Sequence, residues 1–169
     1  MRIVRLASHW PALAALIAAA MLLAAHGFET FGHYPPCELC LKQRDVYWVI
    51  LFGGAALSVA SRLRPTVLRA ACAILTVLFL AECAVAVYHS GVEWKWWPGP
   101  TSCTSAGTHA VTAADMSNLL SGKPQHIVQC DVAAWRLIGL SMAGWNALAA
   151  AGFTLISALF AWRGEPDHA

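Results

Sequence analysis

The chain contains 169 residues, of which 59% are hydrophobic and only 12% are charged. A soluble domain of this length needs a more highly charged surface, so lipid must be the solvent for much of the chain. The formal net charge is +2, and the 11 Lys and Arg residues are scattered rather than grouped into a basic stripe. This composition excludes nucleic acid as a partner.

Four apolar stretches predict four membrane-spanning helices, because a helix of about 20 residues crosses the hydrocarbon core. The predicted spans are residues 10–28, 41–60, 70–88 and 137–162, and the two outer loops are residues 29–40 and 89–136. We therefore predict an all-α integral membrane protein, a four-transmembrane-helix bundle that forms a single membrane domain over residues 1–169.

The first span also has features of a secretory signal peptide. Arg2 and Arg5 precede an apolar run that ends in small residues such as Ala24 and Ala25. The run is long for a signal core, and with three further spans an uncleaved first helix places both termini on one side. We interpret it as a span, and cleavage near His26 is the alternative.

The distribution of basic residues predicts the orientation, because cytoplasmic segments hold the excess of Lys and Arg near the helix ends. Residues 1–9, 61–69 and 163–169 contain six arginines in 25 positions, whereas residues 29–45 and 89–136 contain five Lys or Arg in 65 positions. Both termini are therefore expected in the cytoplasm, and the two loops face outward.

The six cysteines divide into two groups by their predicted location. Cys37, Cys40, Cys103 and Cys130 lie in the outward loops, where disulfides persist. Cys72 and Cys83 lie within the third span, and buried cysteine there is expected to pack as a small apolar residue. Chemistry is therefore expected only of the four loop cysteines.

The first outer loop contains a CxxC motif, Pro35-Pro36-Cys37-Glu38-Leu39-Cys40, which is compatible with thiol redox chemistry, zinc binding or haem attachment. Leu41 follows Cys40 in place of the histidine of a haem motif, which disfavours haem. Zinc remains open, although the 26 residues between Cys103 and Cys130 do not resemble a second zinc knuckle. We predict no metal site.

The surroundings of the CxxC motif favour redox chemistry. The second helix is expected to begin close to Cys40, where free amide groups and the helix dipole would stabilise a thiolate. Arg44 follows four residues later, so its guanidinium returns to the same helix face. Glu38 acts in the opposite sense, but it is expected to matter less at the wet membrane surface. These features predict a low thiol pKa, and the alternative for Arg44 is an interfacial anchor.

The sequence resembles the disulfide bond formation protein B (DsbB) family over essentially the whole chain. The motifs that carry the resemblance are Pro36-Cys37-x-Leu39-Cys40-x-x-x-Arg44, Tyr88-His89-x-Gly91-Val92-Glu93-Trp94, Gly99-Pro100-x-x-Cys103, Cys130-Asp131, Trp135-Arg136 and Gly139-Leu140-Ser141-Met142. Glu38 and Glu82 have no counterpart among the roles that the family suggests.

The resemblance implies an inner-membrane protein thiol:quinone oxidoreductase of bacteria, with two periplasmic loops. In this reading the Cys103–Cys130 disulfide accepts electrons from a periplasmic, DsbA-like thiol oxidase of the thioredoxin fold and passes them to Cys37 and Cys40. Cys103 would form the mixed disulfide with that partner, and Cys130 would resolve it.

The same resemblance implies that a quinone reoxidises the CxxC pair, with ubiquinone expected rather than menaquinone. Cys40 would be the sulfur nearest the quinone, Arg44 would lie beside its ring, and Met142 would help to line the pocket. Two alternatives stay open: a structural four-span protein with inert disulfides, and an enzyme of the vitamin K epoxide reductase type. In the latter the CxxC follows the loop pair, whereas here it comes first.

Three further features allow weaker predictions. Residues 111–124 have the pattern of a short amphipathic helix that lies on the bilayer or, equally, receives the partner. A second group consists of His33, His89, Glu93, Trp94, Trp96 and Trp97, which we interpret as interfacial anchors, with a cofactor site as the alternative. Glu82 is an ionisable residue inside a span and is therefore a functional candidate. Its simplest explanation is a position near the outer end of the helix, and a quinone-linked proton path is the alternative.

Overall fold

The part of the chain that the structure describes contains four long helices, and each is long and apolar enough to cross a membrane. The structure is a computed structural model that describes residues 2–100 and 130–163. In chain order the helices are α1 (Arg2–Thr30), α2 (Glu38–Leu63), α3 (Leu68–Glu93) and α4 (Met142–Arg163), with a short 3-10 helix (Pro65–Val67) between α2 and α3. The predicted all-α, four-helix membrane architecture is confirmed.

The helix ends differ from the predicted spans at the end of the bundle where α1 finishes and α2 begins, here called the outer end. Helix α2 begins at Glu38 and α3 continues to Glu93, so both reach further into the predicted loops than the sequence indicated. Helix α4 begins only at Met142, five residues after the predicted start of the fourth span.

A small antiparallel β-ribbon explains the late start of α4. Strand β1 (Arg136–Leu137) pairs with β2 (Leu140–Ser141). The turn between them holds Ile138 and Gly139 at φ values of 51° and 81°. Because a helix needs negative φ at every position, the chain cannot be helical through this turn.

The helices pack mainly as two pairs, α1 with α2 and α3 with α4, and α2 joins the pairs through α3. The buried core contains large apolar side chains such as Ile50, Leu75 and Phe79. Many equally large apolar residues point outward, among them Leu23, Phe52, Val77 and Leu155. This inside-and-outside hydrophobicity is what a bundle surrounded by lipid requires.

A candidate dithiol site at the outer end of the bundle

Cys37 and Cys40 are free thiols at the start of α2. Cys37 is the residue that caps the helix, with φ −81° and ψ 172°, and its sulfur accepts a hydrogen bond from the Cys40 amide at 3.3 Å. The two Sγ atoms are 2.8 Å apart. A CxxC motif that turns from an extended residue into a helix therefore brings both sulfurs into direct contact.

The contact between the two sulfurs also divides their roles. The hydrogen bond to Cys40 and, next, burial raise the pKa of the Cys37 thiol above its ordinary value. This direction favours Cys37 as the thiol that donates in the contact between the two sulfurs. The sequence analysis predicted that free amide groups at the helix start would stabilise a thiolate at Cys40. In the structure the helix begins at Glu38, and the Cys40 amide donates its hydrogen bond to the Cys37 sulfur.

Arg44 lies one turn after Cys40 and joins α2 to α1. Its Nη1 donates to the Glu29 carboxylate at 2.5 Å, and its Nη2 donates to the Ala25 carbonyl at 3.1 Å. The guanidinium is mostly buried, so it is fixed in place rather than extended into water. Glu29 was not singled out from the sequence, although an acidic residue at the outer end of the first span was a signal for such a partner.

His89 and Glu93 of α3 are buried against the dithiol, so their interpretation as interfacial anchors is wrong. The His89 Nε2 is 3.6 Å from the Cys37 sulfur and 3.8 Å from a Glu93 carboxylate oxygen. Glu93 also accepts a hydrogen bond from the Ser141 hydroxyl, and that same hydroxyl oxygen accepts from the Gly144 amide at 3.1 Å. The β-ribbon and the start of α4 are thereby held against α3.

A buried polar network continues from His89 into the middle of the bundle. Gln43 Nε2 lies 2.8 Å from His89 Nδ1, and the Asn146 amide donates to Gln43 at 2.7 Å and to Glu82 at 2.6 Å. The Tyr47 hydroxyl donates to the Asn146 carbonyl at 2.5 Å. Five residues from three different helices, α2, α3 and α4, therefore form one network around Asn146.

Glu82 occupies the deep end of this network. It is 0% exposed and lies about three helical turns before the end of α3. The expectation that Glu82 sits near the outer end of its helix is therefore wrong. Among the described residues, its second carboxylate oxygen has no hydrogen-bond partner.

Cys130 packs near the dithiol. It is disulfide-bonded and buried, and it shares one apolar cluster with Cys37, Leu39 and Val92, against which Cys40 also packs. The next residue, Asp131, forms an ion pair with Lys95. Cys103 and the predicted helix at residues 111–124 lie outside the described residues.

A cavity of about 510 Å³ opens beside the dithiol, and the structure brings four of the predicted site residues together on its walls: Cys37, Cys40, Arg44 and Met142. The remaining walls are largely apolar and aromatic, and their polar groups are Gln43, Tyr47, His89, Glu93 and Asn146. Among the apolar residues are Met21, Leu22, Phe28, Trp135, Trp145 and Ala149. A cavity of this size and character is typical of a site for an organic ligand. A quinone, which has a flat ring, two carbonyl oxygens and an apolar tail, fits this donor set.

Comparison with known families identifies the chain. The model of the family Disulfide bond formation protein DsbB matches residues 7–160, nearly the whole sequence. The chain belongs to this family. No curated protein and no solved structure matches it.

Membership of the DsbB family makes the chain a multi-pass membrane protein and a disulfide oxidoreductase. It confirms the resemblance found in the sequence. It also favours the oxidoreductase over both alternatives, the structural protein with inert disulfides and the enzyme of the vitamin K epoxide reductase type.

In this DsbB-family site the sulfur geometry also bears on the zinc alternative. The donor atoms of Cys37, Cys40 and His89 lie within 4.8 Å of one another. Zinc bound tetrahedrally by two thiolates would hold the sulfurs about 3.8 Å apart. The two sulfurs, 2.8 Å apart, would therefore have to separate before they could hold zinc.

Proposed function

We propose that this chain is a thiol:quinone oxidoreductase of the bacterial inner membrane. It would act as a single membrane domain over residues 1–169, with both termini in the cytoplasm and the outer end facing the periplasm. Its thiol substrate would be a DsbA-like protein of the thioredoxin fold, and its electron acceptor a quinone, ubiquinone rather than menaquinone. The proposal depends on one observation: the dithiol packs in one cluster with the disulfide-bonded Cys130 and also lines an apolar cavity.

The first exchange would transfer the partner's electrons to the loop pair. A partner thiolate attacks Cys103 of the Cys103–Cys130 disulfide and forms a mixed disulfide, and Cys130 leaves as a thiolate. The second partner thiol then displaces Cys103 and, in place of Cys130, resolves the mixed disulfide, because attack by Cys130 would only restore the starting bond. The partner ends as a disulfide and both loop cysteines are reduced. This exchange conserves two electrons and two protons, because one disulfide forms and one is broken.

The second exchange would move the electrons to the CxxC pair. The Cys130 thiolate attacks the Cys37 sulfur of an oxidised Cys37–Cys40 disulfide and releases Cys40, and Cys103 then displaces Cys37. The loop disulfide is restored, and Cys37 and Cys40 become thiols. Burial of Cys130 in one cluster with Cys37 supports this direct exchange, since disulfide exchange needs the sulfurs in contact.

A quinone in the cavity would accept two electrons and two protons and leave as the hydroquinone. Cys40 lines the cavity and, as the partner of a protonated Cys37, carries the sulfur that would face the quinone ring. Arg44 would hold a quinone oxygen or the negative charge that develops on it. Met142 would pack on the ring from α4. Each Cys thiol supplies one of the two protons, so the net reaction needs no further oxidant.

The test is quinone reduction by the purified protein in lipid nanodiscs, with a reduced DsbA-like protein as donor and a short-chain ubiquinone as acceptor. The wild type should reduce the quinone, and Cys37→Ser or Cys40→Ser should reduce the rate to background. Cys83→Ala is the matched control, because Cys83 is a partly buried thiol that donates a hydrogen bond to the Ala147 backbone carbonyl and does not line the cavity. Quinone reduction that survives Cys40→Ser would contradict the proposal.

A further inference from the structure

The polar network between the dithiol and the middle of the bundle has no part in the exchanges described above. We propose that Gln43 and Asn146 are positioning residues that hold His89 in the tautomer whose Nε2–H faces the Cys37 sulfur. The effect of this tautomer on the rate of dithiol oxidation rests on the proposed function. The tautomer itself can be measured without a partner protein or a quinone.

At the deep end of the network, the orientation of the Asn146 side-chain amide determines which atoms donate hydrogen bonds and which accept them. The Tyr47 hydroxyl donates to Asn146 Oδ1 at 2.5 Å, so the amide nitrogen points the other way. That nitrogen has two hydrogens, and it donates one to Gln43 Oε1 and one to Glu82 Oε1. The carboxylate oxygen of Glu82 is an acceptor, which fixes the same orientation from a second helix.

The orientation of Asn146 determines that of Gln43 and then that of His89. Because Gln43 Oε1 accepts from Asn146, its Nε2 is the atom that lies 2.8 Å from His89 Nδ1. An amide NH₂ group donates and cannot accept, so Nδ1 must carry the lone pair. A neutral His89 then has its hydrogen on Nε2, the nitrogen 3.6 Å from the Cys37 sulfur.

Burial stabilises this orientation of the Gln43 and Asn146 amides. Gln43 and Asn146 are each 9% exposed and Glu82 is 0% exposed, so water has little access to replace a lost partner or to rotate an amide. An unpaired polar group at this depth would be costly. Side-chain amides orient their neighbours but do not readily pass protons. The contacts of Glu82 therefore favour an orienting role over the proton path considered from the sequence.

The consequence lies at Cys37, whose thiol must lose its proton when the pair is reoxidised. An Nε2–H that faces the sulfur can donate a hydrogen bond to the thiolate as it forms, whereas the opposite tautomer would present a lone pair to it. Loss of one such bond is expected to slow dithiol oxidation about tenfold, since a hydrogen bond to a charged group contributes on the scale of a tenfold change in rate.

The test is ¹⁵N NMR of the histidine side chains in the reduced, detergent-solubilised protein, with the His89 signals assigned by their absence in His89→Gln. The wild type should show a protonated Nε2 and an unprotonated Nδ1. Gln43→Glu is nearly isosteric, but its carboxylate can accept from Nδ1–H, so the proton should appear on Nδ1. Gln43→Met should give a mixture of tautomers and oxidise about tenfold more slowly with the quinone acceptor.

Two further comparisons separate positioning from general damage to the fold. Glu82→Gln keeps an acceptor oxygen for Asn146 and should retain the His89 tautomer, whereas Glu82→Leu should lose it. Ser157→Ala removes another buried hydrogen bond, the 2.9 Å bond from Trp10 Nε1, and should leave both the tautomer and the oxidation rate unchanged.

The outcomes that overturn the inference are specific. They are an Nδ1-protonated or doubly protonated His89 in the wild type, or an unchanged tautomer in both Gln43→Glu and Gln43→Met. A wild type that shows the expected tautomer and the expected Gln43 shifts but reduces no quinone would instead remove the proposed function and leave the positioning role intact.

Discussion

The chain contains two groups of buried cysteines that differ in their neighbours more than in their burial. Cys72 is fully buried in the apolar core with Leu75 and Phe79. Cys37 is also buried, but its sulfur touches Cys40 and lies within reach of His89. Burial alone therefore does not mark a reactive thiol.

The two regions differ in how well their neighbouring groups can stabilise a negatively charged thiolate. Cys72 packs in the cluster of buried hydrophobic side chains that includes Leu75 and Phe79, so the residue behaves as a small apolar group. At the outer end, helix amides, the Arg44 guanidinium and an imidazole surround the sulfurs. The inner core stabilises the bundle, and the outer end supplies the chemistry.

The largest predicted effect concerns the inner core. A substitution there should lower the free energy of unfolding and leave the turnover of the folded protein unchanged. Phe79→Ala removes a fully buried ring that packs on Phe153, and it should lower the free energy of unfolding by about 3–5 kcal/mol. The turnover of the fraction that stays folded should hardly change. Reversible unfolding in mixed micelles, followed by circular dichroism, measures the first quantity. A stability equal to that of the wild type would mean that this region is not the structural core.

A second prediction concerns the accessibility of the two thiol groups. In the reduced protein, Cys40 should react with a small maleimide roughly a hundredfold faster than Cys72, because Cys40 lines the cavity whereas Cys72 reacts only when the bundle opens. Mass spectrometry of timed samples gives both rates, and labelling in denaturant should make them equal. Comparable rates in the folded protein would break the distinction between the two regions.

A third prediction tests the charge at the outer end. Arg44→Gln removes the guanidinium that lines the cavity and bonds to Glu29, and it should raise the KM for quinone about tenfold, with a smaller effect on kcat. Lys42→Gln makes the same charge change two residues away. Lys42 is half exposed and pairs with Glu38 on the surface at 2.8 Å, so its removal should leave the KM unchanged. Equal shifts in both variants would indicate a general electrostatic effect instead of a specific contact.

The sequence predicted those features that depend on local composition. Apolar length identified the four helices, and the spacing of Cys37, Cys40 and Arg44 placed three side chains on one helix end. The contacts between helices could not be predicted in this way, because they depend on how each helix is rotated in the bundle. Asn146 was visible only as a polar residue in an apolar span, and nothing local linked it to Gln43 or Glu82. The same limit applies to the approach of Cys130 to Cys37, which joins positions 93 residues apart in the chain.

The smallest predicted effect concerns the proton on Cys37. Its pKa is raised chiefly by the hydrogen bond to Cys40, so removing that partner should lower it again. In Cys40→Ala the Cys37 thiol should therefore be more ionised at pH 8 to 9 than in the wild type, and it should react several-fold faster with iodoacetamide. The sign is opposite to that expected if Cys40 activated Cys37. The rate of Cys37 alkylation between pH 7 and 10, measured by mass spectrometry in both proteins, decides the matter. Slower alkylation of Cys37 in the variant would show that Cys40 lowers the pKa of Cys37 instead of raising it.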